Sequence, residues 1–114
     1  MLSLNGYKFC MCTAKIDMRM GSSGLSGVVT NFMQYDAADS KMIYIFFNKR
    51  YNQIKLLLWD EEGYALYHKR LTRGTYSPPE FTESGAVELS RKQLSLILDG
   101  IEIKYRRRYK RGEY

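Results

Sequence analysis

The sequence predicts an α+β fold: a single domain in which helices pack on a mainly antiparallel sheet of about four strands. Three observations predict it. The run 41–47, KMIYIFF, is β-branched and aromatic throughout and suits a strand buried on both faces. The stretch 54–71, IKLLLWDEEGYALYHKRL, reads as two strands joined by a turn. Leu94, Ile97, Leu98 and Ile101 recur at the i, i+3, i+4, i+7 spacing of an amphipathic helix. The expected order is strand, helix, three-strand meander, a short further strand, helix and tail.

Residues 7–14, YKFCMCTA, predict the first strand, apolar on both faces. Cys10 and Cys12 are the two cysteines of the chain and His68 its one histidine. A tetrahedral zinc site needs about four ligands, so no metal is expected and the pair reads as small reduced core residues. Asp17 reads as a helix cap or turn residue. After it, Met18, Gly21, Leu25, Val28, Val29, Phe32 and Met33 fall near one helical face. Gly21, Gly24 and Gly27 weaken the first turns by about 1 kcal/mol each relative to Ala, which points to close packing and to a helix starting at Ser22 or Ser23. Residues 35–41 form a loop, and the polar turn 48–53 exposes Lys49 and Arg50. Gly74, Pro78 and Pro79 make 72–85 mostly loop. AVEL, 86–89, is a short strand. Ser90 and Gln93 have capping-box spacing, and Gly100 stands near the end of the second helix.

In the hairpin, Asp60 at the first turn position and Gly63 at the fourth predict a type I turn with Gly63 as the left-handed bulge residue. Leu58 then opposes Leu66, Leu56 opposes His68 and Ile54 opposes Arg70 on an apolar face. Trp59 opposes Ala65, Leu57 opposes Tyr67 and Lys55 opposes Lys69 on the other. Two lysines opposite each other are unfavourable unless water screens them or an anion sits between. Two readings stand. This face is a binding surface, or helices cover Trp59 and Leu57 while the lysines snorkel at the edge. A slip of one residue would reverse much of the assignment.

A hydrophobic fraction of 45% describes a globular chain, and no apolar run approaches the ~18 residues of a membrane helix. The first ten residues lack a basic segment followed by an apolar stretch, so a cytoplasmic protein without membrane contact is expected. The net charge of +6 is unevenly placed: residues 104–114 carry +5 and residues 1–103 only +1. The expected division is a domain over 1–103 and a basic tail over 104–114. In that tail Arg106, Arg107, Arg108, Lys110 and Arg111 alternate with Tyr105 and Tyr109, a pattern suited to phosphate and stacking partners.

DMRMGSSGL at 17–25, IFFNKRYNQIKLLLWDEEGYALYHKRLTRGTY at 45–76 and LSRKQLSLILDGI at 89–101 resemble the insertion-sequence 66 family of accessory proteins. These are the second reading frame of those elements, called TnpB and distinct from the RNA-guided nuclease of that name. The resemblance runs from about Tyr7 to Ile103. Asp17, Arg19, Gly21, Asp60, Gly63, Gly74 and Gly100 fall in its motif positions. It implies a role in transposition beside a separate, larger transposase, and it carries over no catalytic residue.

The leading expectation is a non-enzymatic factor that binds DNA, the element's transposase, or both. Lys49, Arg50, Lys55, Lys69, Arg70 and Arg73, with the tail cations, are the expected phosphate contacts. The alternative is a module that docks on the transposase without DNA, with Trp59 and Tyr67 as anchors. A nuclease would need clustered carboxylates, for which Asp17, Asp60 and Glu61 are the candidates. Asp17 reads instead as a cap, Asp60 as a turn residue and Glu61 as solvated. No glycine-rich nucleotide loop is present, because Gly21, Gly24 and Gly27 are not followed by Gly-Lys-Ser or Gly-Lys-Thr. No cofactor and no small-molecule substrate are expected.

Overall fold

The computed structural model describes residues 5–98. Gly100, Ile101 and the whole basic tail, Arg106, Arg107, Arg108, Lys110 and Arg111 included, lie outside the described residues. The chain forms β1 (Lys8–Cys12), α1 (Ser22–Val28) running into a wider π-type turn (Val29–Met33), β2 (Met42–Phe47), β3 (Gln53–Trp59), β4 (Tyr64–Arg70) and β5 (Ala86–Leu89). A second helix, α2, covers 91–98.

The strands make one five-stranded sheet in the order β4-β3-β2-β1-β5. The expected mainly antiparallel sheet of about four strands is corrected to a mixed sheet of five, since β1 pairs with β2 in parallel, Phe9 opposite Ile43 and Met11 opposite Ile45. The connection from β1 to β2 is long enough to carry a helix across the sheet, which a parallel pair requires. β5 then adds to the free side of β1 antiparallel, with Phe9 opposite Leu89. Cross-strand order along the chain is legible locally. This pairing of β1 with both β2 and β5 is not.

Each face of the sheet has its own core. On one side Leu25, Val29 and Met33 of the α1 segment cover Cys10, Cys12, Tyr44, Phe46 and Leu57. On the other, Leu94 and Ile97 of α2, with Leu71 and Tyr76 of the loop after β4, cover Phe9, Met11, Ile43, Ile45, Ile54 and Leu56. All six residues of β2 are buried, so its sequence has no polar alternation. Burial pushes the Cys10 thiol up to about 11 and raises that of Cys12, which keeps both protonated.

The capping box forms as expected. Gln93 Oε1 accepts from the Ser90 amide at 2.8 Å, and Ser90 Oγ accepts from the Gln93 amide at 3.1 Å. The first helix differs. It begins at Ser22 with Gly21 as its uncapped N-terminal residue, so Asp17 is a turn residue and not its cap. Nothing lies within 4 Å of a Cβ added at Gly21 or Gly27, so those glycines do not serve close packing. The position that demands glycine is Gly85. Its φ is +102°, and an added Cβ would meet the Phe32 carbonyl oxygen at 3.0 Å. That close approach fastens the entry to β5 against the end of the α1 segment.

The hairpin register is also corrected. Trp59 opposes Tyr64, Leu58 opposes Ala65, Leu57 opposes Leu66, Lys55 opposes His68, Ile54 opposes Lys69 and Gln53 opposes Arg70. The loop is shorter by one residue than the expected bulged turn. The Asp60 amide donates to the Gly63 carbonyl at 3.0 Å, and Glu61, not Gly63, takes the positive φ of 75°. Asp60 Oδ1 accepts from the amides of Glu62 and Gly63 at 3.2 and 3.1 Å, which closes the turn without a left-handed glycine.

Candidate nucleic-acid interface

The register decides which cations meet. Lys69 lies across from Ile54 and on the opposite face from Lys55, so the expected face uniting Lys55, Trp59, Tyr67 and Lys69 does not form. Lys55 is only 5% exposed. Its ammonium donates to the carbonyls of Met18 at 2.8 Å and Met20 at 2.6 Å. Lys55 is therefore a clamp on the loop before α1 and is withdrawn from solvent. Trp59 is half-buried and meets Tyr64 edge-on, with ring centroids 5.0 Å apart. Tyr67 is exposed on the edge strand β4, across from Leu56. Arg73 is half-buried in the loop after β4, which Gly74 turns with a φ of +75°.

The loop that Lys55 holds is shaped by its own side chains. The Ile16 amide donates to the Phe47 carbonyl at 2.8 Å and ties the loop to the end of β2. Asp17 Oδ1 accepts from the Arg19 amide at 2.9 Å. Its carboxylate also receives the Arg19 guanidinium, from Nε to both oxygens at 3.1 Å and from Nη2 at 2.7 Å. The Arg19 side-chain hydrogen bonds, then its backbone hydrogen bond, hold the Asp17 carboxyl down to about 2.

The turn between β2 and β3 faces this loop. Asn48 Oδ1 accepts from the amides of Asn52 and Gln53, each at 3.0 Å, and Asn48 Nδ2 donates to Asn52 Oδ1 at 2.6 Å. Tyr51 takes a φ of +56° and packs on Phe47 at 5.5 Å between centroids. With those contacts fixing the backbone, Lys49 and Arg50 project into solvent, as the sequence leads one to expect. Gln53 Oε1 meets His68 Nε2 at 2.8 Å beside Arg70. Burial, then Lys55, then Arg70 lower the His68 pKa. A ring that carries its proton on Nε2 donates to the glutamine oxygen.

Loop and turn enclose an open groove of about 580 Å³. Its cations are Arg19, Lys49, Arg50 and Arg70, drawn from three separate segments, and its one carboxylate is Asp17. Asn48, Asn52 and Gln53 supply amides, and Ile16 and Met18 apolar surface. Sequence reasoning found Lys49, Arg50 and Arg70 but placed Arg19 only as a motif residue, and it missed Asn52, Gln53 and His68. The Asp-x-Arg spacing signals a local turn with its own ion pair. Nothing in it signals what the turn faces.

Residues 7–108 match the family described as IS66 Orf2 like protein. The chain belongs to that family. Membership makes it a transposition-associated accessory protein of insertion sequences, as the motifs at 17–25, 45–76 and 89–101 led one to expect. The IS66 Orf2-like match runs past residue 103, where the charge distribution suggested a boundary. Two relatives come from Sinorhizobium fredii (strain NBRC 101917 / NGR234). The uncharacterized protein y4hO is 32% identical over 92 residues, 81% of this chain and 78% of that protein. The uncharacterized protein y4jC is 28% identical over 97 residues, 85% of this chain and 81% of that protein. No solved structure matches the chain.

Proposed function

We propose that this IS66 Orf2-like protein is a non-catalytic transposition factor that holds element DNA by its phosphates beside a separate transposase. The observation that carries the reading is the convergence of Lys49, Arg50 and Arg70 on one groove, beside the Arg19–Asp17 ion pair. Phosphodiesters are bound by such cations, and each contact releases counterions. The basic residues of 104–114 add charge of the same sign. Carboxylate chemistry finds no support. Asp17 is committed to Arg19 and Asp60 to its turn, and no cluster of three or more His, Cys, Asp or Glu exists among the described residues.

The test is fluorescence anisotropy of the full chain on labelled element-end DNA across a salt series. Affinity should fall steeply with salt, by about 10³-fold between 50 and 200 mM if some six phosphates are contacted. No binding at low salt, or a flat salt response, overturns the proposal. A second reading, docking on the transposase without DNA, rests on Tyr67, which is 44% exposed on the edge strand β4. Salt-tolerant capture of the transposase by a protein that ignores DNA would favour it.

A further inference from the structure

We infer that the groove between the 16–19 loop and the 48–53 turn takes one unpaired nucleotide of a single DNA strand. The inference rests on the DNA-binding reading above and names what that site holds. At about 580 Å³ the groove has the scale of a small-ligand pocket. An unstacked nucleotide can lay its phosphate and its pairing edge along such an open groove, whereas a paired base cannot turn that edge toward it.

The lining divides by chemistry. Arg50, in the turn before β3, and Arg70, the last residue of β4, lie at the open end of the β3–β4 hairpin and supply cations for a phosphate. The same lining holds two amide side chains whose oxygens are already hydrogen-bonded. Asn52 Oδ1 is taken by Asn48 Nδ2, so the donor this side chain has left for a ligand is its amide nitrogen. Gln53 Oε1 is taken by His68, which leaves the Gln53 amide nitrogen likewise. Two amide donors fit acceptors on the Watson–Crick edge of an unpaired base, the edge that pairing occupies.

The walls are built before any ligand arrives. The Lys55 ammonium fixes the Met18 and Met20 carbonyls, and Asp17 neutralises itself against Arg19. A preformed site of this kind loses little by ordering on binding.

The experiment measures full-chain affinity by anisotropy for a short single strand, the same sequence as blunt duplex, and a single strand of equal length with abasic sites. The natural single strand should bind tighter than either by about tenfold, the worth of one good base contact. An Arg50→Gln, Arg70→Gln variant should weaken duplex binding, because both cations serve phosphates, and should weaken the natural single strand by about tenfold more, so that the preference is lost. Its thermal midpoint should be unchanged, and Lys49→Gln, at the exposed turn, serves as a second groove variant. Equal binding of all three DNAs, or equal weakening of single strand and duplex in the variants, overturns the nucleotide site and leaves phosphate binding standing. No binding of any DNA at low salt overturns both.

Discussion

A lysine ammonium held 5% exposed against two backbone carbonyls is a costly arrangement, and at Lys55 its use is mechanical. The charge is compensated by carbonyl dipoles, and, after the Arg19 hydrogen bonds, it adds a small part to the lowering of the Asp17 pKa. Lys55→Met keeps the apolar stem but strands the Met18 and Met20 carbonyls. It should cost about 2–3 kcal/mol in a urea melt, the range for hydrogen bonds to a charged group. Lys69→Gln, on the exposed edge strand, should stay within about 0.5 kcal/mol of wild type.

The same neighbourhood predicts a pH response. The folded His68 pKa lies below its ordinary 6.5, so the unfolded chain takes the proton first. Its stabilising contribution is full above 6.5 and is lost as pH falls through 6.5 toward the lower folded value. Asp17 contributes above 3.8 and loses that contribution between 3.8 and about 2. Thermal midpoints against pH should therefore show two separate declines, and His68→Asn should abolish the upper one alone.

At the scale of elements, the β3–β4 hairpin shows how a turn sets the face of every residue beyond it. Glu61 occupies a positive-φ position that glycine or asparagine would fill more easily. The left-handed penalty is about 1–2 kcal/mol, and glycine's added unfolded-state entropy offsets about 0.5–1 of it. Glu61→Gly should thus stabilise the domain by about 0.5–1 kcal/mol without changing the register, read from the denaturation midpoint. Destabilisation would mean that the Glu61 side chain has a role the turn geometry does not reveal. The Ser90–Gln93 box illustrates the opposite case. Both partners lie within one turn of chain, so sequence spacing alone identifies the pair.

For the whole molecule, two helical layers enclose a sheet whose central strands are apolar on both sides. The charge is then left to the loops, the β4 edge and the tail. Residues 104–114 hold most of the net charge. Deleting them should weaken low-salt duplex binding and flatten the log–log salt slope by about 0.9 for each phosphate no longer neutralised. The thermal midpoint should change little. Unchanged duplex affinity at low salt would show that the tail does not touch DNA.

What the sequence by itself determined is much of what acts within a few residues, the 60–63 turn and the capping of α1 apart. That covers the strands read at 7–14, 41–47 and 86–89, the two strands of the 54–71 hairpin, the helix after Ser90, the turn half of the cap-or-turn reading of Asp17, and the exposure of Lys49 and Arg50. The family was legible too, because its motifs are contiguous stretches of chain. The tertiary structure decided the parallel β1–β2 pairing, the hairpin register, the burial of Lys55 and the gathering of Arg19, Arg50 and Arg70 around one groove. A one-residue difference in turn length is small in local energy, yet it exchanges the two faces of β4, since successive side chains in a strand point to opposite sides. Which face then meets a helix, and which loop a buried ammonium clamps, depends on packing between segments some thirty-five residues apart along the chain.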